Sequence, residues 1–170
     1  MMEAVRKTIS IMDRIWWVLR RAGWSSGRNR PDIVEAFKAG REDDLFPEAE
    51  RFIRQFGGMD FGGKLQIWSH PPQDHFLTNF GKRISEVLGL RVVPLASSNY
   101  LCCTSILWID EQGRFYDADE EGMIYLGEGE AEVFTVLLMG AKPKTPAPDL
   151  REKLEKNYKW ENGSFSGEGE

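Results

Sequence analysis

From Ile11 to Ala22 the apolar residues recur with the period of a helix. Ile11, Met12, Ile15, Trp16, Val18, Leu19 and Ala22 share one arc at about 100° per residue, opposite Asp13, Arg14, Arg20 and Arg21. Ser10 stands where an N-cap belongs, with Asp13 three residues on, and Gly23 stands where the helix must stop. Trp17 breaks the pattern by projecting from the polar face. It is expected either to pack beneath a loop or the C-terminal helix, or to serve as an anchor for a binding partner. A short helix follows Pro31, with Val34 and Phe37 leading to Gly40. A stronger one starts at Pro47, with Ala49, Phe52, Ile53 and Phe56 at helical spacing and Gly57-Gly58 after them.

The period then shortens. Leu65 and Ile67 alternate with polar neighbours as in a strand, and Pro71-Pro72 require a loop through residues 70–74. Residues 79–88 predict a helix with Phe80, Ile84, Val87 and Leu88 inward, closed by Gly89. "LRVVPLA", "YLCCTSILWID", "RFYDA" and "MIYLG" are β-rich runs, with a turn at Glu111-Gln112-Gly113-Arg114. Residues 130–139 return to helix, and a Pro-rich segment over 142–148 leads to a last helix bearing Leu150, Leu154 and Tyr158. This order predicts an α+β fold: N-terminal helices, a mostly antiparallel sheet, helices packed on it, and a C-terminal helix. Residues 1–141 are expected to form one domain, 142–160 a Pro-rich linker and short helix packing on that same domain, and 161–170 a flexible tail.

Composition supports a single core. The chain has 170 residues, of which 41% are hydrophobic, with six Trp and ten Phe, enough for one domain and too few for two ordinary ones. Cys102 and Cys103 are adjacent and cannot staple distant segments, which suits a reducing compartment; with no signal peptide or membrane span visible, the expected location is cytoplasmic. The net charge of −5 is concentrated: between Asp110 and Glu132 there are nine carboxylates and one Arg, Arg114. Such a surface disfavours nucleic acid as a partner and attracts a basic protein.

Two stretches look catalytic or metal-binding and neither has the right context. Gly23-Trp24-Ser25-Ser26-Gly27 matches the nucleophile-elbow pattern, but Ser25 follows a helix instead of a strand, and the available bases, His70 and His75, lie in or beside the Pro-Pro loop. Asp117-x-Asp119-x-Glu121-Gly122, with Glu128 at the twelfth position, nearly spells a calcium loop, yet strand-like residues precede it where an incoming helix is required. A solvated acidic hairpin is the simpler expectation. His70, Asp74 and His75 lack a fourth ligand, and Cys102 and Cys103 point to opposite faces of a strand, so no metal and no cofactor is expected.

"LRRAGWSSGR", "FIRQFGGM" and the long stretch from "ISEVLGLRVVPLA" through "IDEQGRFY" and "YLG" to the terminal "LLMG" helix occur in an order and spacing that resemble the SUKH superfamily, in its third immunity-protein subgroup. The resemblance covers roughly residues 11–140. It implies an α+β fold, no catalytic residues, and a role as the antidote to a bacterial polymorphic toxin, often a nuclease, bound inside the producing or sibling cell. Related domains also serve as general protein-binding regulators, the alternative role that the resemblance leaves open. An acidic patch on such an antidote would imitate nucleic acid before a basic nuclease, and Asp117, Asp119, Glu120 and Glu121 are the expected patch, with Trp17 as a further contact.

Overall fold

The computed structural model describes residues 10–41, 45–101, 105–119, 122–157, 159–161 and 164–166. The chain begins with α1, Ile11–Arg21, whose start is fixed by a complete capping box. Ser10 Oγ accepts from the Asp13 amide at 3.1 Å, and Asp13 Oδ2 accepts from the Ser10 amide at 3.2 Å. Helices α2, Pro31–Ala39, and α3, Pro47–Phe56, both open on proline, which loses nothing at a position whose N–H has no intrahelical partner. After β1, Leu65–Ile67, comes α4, His75–Leu88. It starts four residues before the expected boundary because Asp74 Oδ1 accepts from the Phe76 amide at 2.8 Å and caps it. His75 is therefore the first residue of a helix.

The strands β2, Val92–Ser98, β3, Ser105–Asp110, β4, Arg114–Ala118, and β5, Gly122–Glu128, follow in sequence. They pair with β1 as an antiparallel meander in chain order. Pro94 lies inside β2, where it has no N–H to give the ladder, and the register shifts between Pro94 and Ala96 to accommodate it. Helix α5, Glu130–Met139, then turns back over the sheet, and α6, Pro148–Asn157, follows the Pro-rich segment. A short hairpin of β6, Lys159–Glu161, and β7, Ser164–Ser166, extends the sheet, with β7 pairing along the outer edge of β5 at Gly122 and Met123. The architecture is α+β, with helices before, upon and after an antiparallel sheet.

Both faces of the sheet are covered. Leu107, Ile109, Phe115, Ile124 and Leu126 point to one side and pack with Ile15 and Leu19 of α1, Phe37 of α2, Phe52 and Phe56 of α3 and Phe134 of α5. Trp108, Tyr116, Met123 and Tyr125 alternate to the other side and meet Phe80, Ile84 and Leu88 of α4 and Leu150 and Leu154 of α6. The two-sided cover explains why these strands read as nearly continuous apolar runs. It also means that any polar residue in the interior of β3 or β4 is buried, whichever way it points.

Candidate functional site

Burial decides the fate of the acidic stretch. Asp110 is fully buried at the end of β3, where Oδ1 accepts from the Gln112 and Arg114 amides and Oδ2 accepts from Arg114 Nε at 2.7 Å and the Tyr116 hydroxyl at 2.9 Å. These bonds close the β3–β4 turn around Gly113, at φ +77°. Glu111 pairs with Arg91 at 3.0 Å, Glu130 with Arg51 at 3.2 Å, and Glu132 with Lys144. Glu132 also accepts from the Glu128 amide, and a Cβ on Gly127 would fall 2.7 Å from Glu132 Cβ, so the end of β5 carries glycine at 127 where α5 folds back on it.

Asp117 is not on the surface. The expectation of a solvated carboxylate at this position is corrected by its register: it stands between Leu107 and Ile124, two residues after Phe115 and on the same covered face. Its Oδ2 accepts from the Leu101 amide at 3.1 Å, and Oδ1 has no hydrogen-bond partner among the described residues. Burial pushes the carboxyl up to about 6, against the pull of the Ser105 and Ser98 hydroxyls and the Leu101 amide. Asp119 is partly exposed beyond the end of β4, its Oδ1 accepting from the Gly122 amide at 2.8 Å. Glu120 and Glu121 lie outside the described residues, as do Cys102 and Cys103. Asp117 and Ala118 end strand β4 and Gly122–Glu128 form strand β5, so a strand stands where a calcium loop has its incoming helix. Among the described residues no group of three His, Cys, Asp or Glu could hold a metal ion.

The other sequence motif also takes its meaning from its surroundings. Helix α1 ends at Ala22 and Gly23, the latter at φ +90°, and the chain turns through Ser25 with the Arg28 amide donating to the Ser25 carbonyl. No strand leads into Ser25, and no base is hydrogen-bonded to its hydroxyl among the described residues. His70 is hydrogen-bonded to Ser69 beside an open cleft of about 450 Å³ between Ala36, Gly40 and the Pro71–Gln73 loop. Among the described residues that line it, that cleft brings no carboxylate to the histidine.

Trp17 stands on the outer side of α1, 58% exposed, opposite the buried Ile15 and Leu19. Among the described residues neither a loop nor α6 covers it. The Arg21 guanidinium lies 4.9 Å from its ring centroid, a cation–π contact. Its neighbours at helical spacing are Asp13 and Arg14 on the preceding turn and Arg20 and Arg21 on the next. Trp16, expected in the core, is 38% exposed and rests on Trp24 with ring centroids 4.8 Å apart. Ile11 and Met12 are exposed on the first turn of the same helix. Sequence periodicity treated the arginines as a solvated face and missed their arrangement around Trp17. The adjacent Trp16-Trp17 pair was the available signal, since with Ile15 and Leu19 on the core side the next residue but one after Ile15, Trp17, falls about 200° round the helix from it.

No helix among the described residues is long and apolar enough to cross a membrane. Neither a curated protein nor a solved structure matches the chain. A family model described as SUKH-3 immunity protein matches residues 12–140, a span that runs from α1 through α5 and takes in every strand of the meander. With that match across most of its length, the chain belongs to the SUKH-3 immunity protein family.

Proposed function

We propose that this protein is the cytoplasmic antidote to a polymorphic toxin used in bacterial competition, and that it neutralises the toxin by protein–protein contact alone. Family membership implies a toxin-neutralising immunity function and a cognate toxin as partner, and the family is generally non-enzymatic. The match over residues 12–140 is the observation that carries the reading. A nuclease is the proposed toxin class. Its support is the chain's net charge of −5, which discourages the antidote itself from binding the nucleic acid on which such a toxin acts.

Trp17 is the proposed anchor of the contact, because it is a large side chain held in the open by its own helix. Asp119, with Glu120 and Glu121 beside it in sequence, is the proposed acidic contribution. Asp117 is left out, since a carboxyl enclosed between β3 and β5 cannot reach a partner. The test is co-expression with each protein encoded beside this gene. The expected result is that one neighbour is toxic alone, is harmless with the antidote and co-purifies with it. Toxicity unrelieved by co-expression across all neighbours contradicts the proposal.

A further inference from the structure

The exposed side of α1 has the composition and layout of a binding hot spot with a defined charge preference. Trp17 is central, and of the four residues one turn away on either side three are arginines: Arg14, Arg20 and Arg21. The fourth, Asp13, is committed to the N-cap through its bonds to Ser10. Among the described residues no carboxylate forms an ion pair with Arg14, Arg20 or Arg21, although ten ion pairs are formed elsewhere on the chain. In a protein with an excess of acid, three guanidinium groups without an ion pair among the described residues surround one exposed indole and keep a local positive field there.

We infer that α1 docks on an acidic surface of the partner protein, with Trp17 entering an apolar pocket and Arg14, Arg20 and Arg21 pairing with carboxylates around its rim. The inference rests on the toxin-binding reading above and names the chemistry of the face that the toxin presents. The indole is pre-placed by Arg21 and Trp16 by Trp24, so little side-chain freedom is lost on docking. Nucleic acid fits the site less well, because the molecule as a whole, at a pI near 5.2, repels phosphate. A lipid surface fits less well: Ile15 and Leu19, the centre of the apolar stripe that such a helix would insert, are already in the core, and Ile11, Met12, Trp16 and Trp17 are what remains exposed.

The test is isothermal titration of the intact protein with the toxin domain identified by co-expression, at about 50 and about 500 mM salt. The double reversal Arg14→Glu/Arg20→Glu is expected to weaken binding at least tenfold at low salt and to remove most of the salt dependence. Trp17→Ala is expected to weaken it at least tenfold at both salts. Arg20→Lys, which keeps the charge, should lose less than the reversal, and unchanged thermal unfolding of each variant separates lost contact from lost folding. Unchanged or tighter binding by the double reversal overturns the inference and leaves the antidote role standing. A wild-type protein that binds none of the toxins encoded beside it overturns both. A dimer of the free protein that the reversal dissociates, or binding to phosphatidylglycerol vesicles that it abolishes, assigns the face to another occupant and also overturns the inference.

Discussion

Asp117 holds a carboxyl group between two apolar strands, and its ionisation works against the fold. Burial raises its folded-state pKa to about 6, above the unfolded value near 3.9, so the folded protein retains this proton to higher pH than the unfolded chain does. Stability from this group is fully present below about pH 4 and is lost as the pH rises through about 6. The two-unit difference corresponds to about 3 kcal/mol at neutral pH. Asp117→Asn, which can still accept from Leu101, is predicted to raise the melting temperature at pH 7.5 and to flatten stability between pH 4 and 6, as followed by thermal unfolding across that range. A larger pH dependence in the variant than in the wild type would contradict the assignment. Asp110 is instead fully hydrogen-bonded: Arg114, the Tyr116 hydroxyl and two amides converge on it. Asp110→Ala is predicted to cost roughly 3–5 kcal/mol in urea unfolding, since it leaves Arg114 largely buried without its partner. The two residues look alike in the sequence, each the first acid at or near the end of a strand-like run. Only the register against neighbouring strands separates a fully satisfied carboxylate from an incompletely satisfied one.

Among the elements, α4 shows how closely a helix can approach the sheet. Gly81 lies in its middle, and a Cβ built there would stand 3.0 Å from Cζ3 of the buried Trp108. Gly81→Val is predicted to destabilise by about 1–3 kcal/mol in urea unfolding through overpacking. In Gly81→Ala the gain in helix propensity, about 1 kcal/mol, offsets much of the same strain. Helix α1 depends on its N-cap: Ser10→Ala is predicted to cost about 1 kcal/mol and to increase amide exchange in the first turn, where Ile11 and Met12 are exposed. Most elements were legible in the pattern of apolar positions, because proline starts, glycine stops and a change of period are local signals. The start of α4 was not, because Asp74 acts as a cap only once the chain has turned after Pro71-Pro72. The exposure of Trp16 and Trp17 was only half legible: periodicity put Trp17 outside, but whether anything covers an outward residue depends on elements far along the chain.

Across the whole molecule, the fold redistributes the charge that the sequence concentrates. The acidic run from Asp110 to Glu132 reads as a patch, yet Asp110 and Asp117 are buried, and Glu111, Glu130 and Glu132 are paired with Arg91, Arg51 and Lys144 from distant segments. What stays open to a partner includes an aromatic and arginine-rich helix at the other end of the chain from most of the negative charge. The fold is a two-sided sheet whose cores are both filled by helices, and α1 leaves two large aromatic side chains, Trp16 and Trp17, outside them. The most direct test of the antidote role is a titration of the toxin's catalytic activity with the purified protein, using the toxic neighbour found by co-expression. The account predicts that activity falls to zero near one equivalent and returns when the complex is dissociated. Full toxin activity in the presence of excess protein would contradict it.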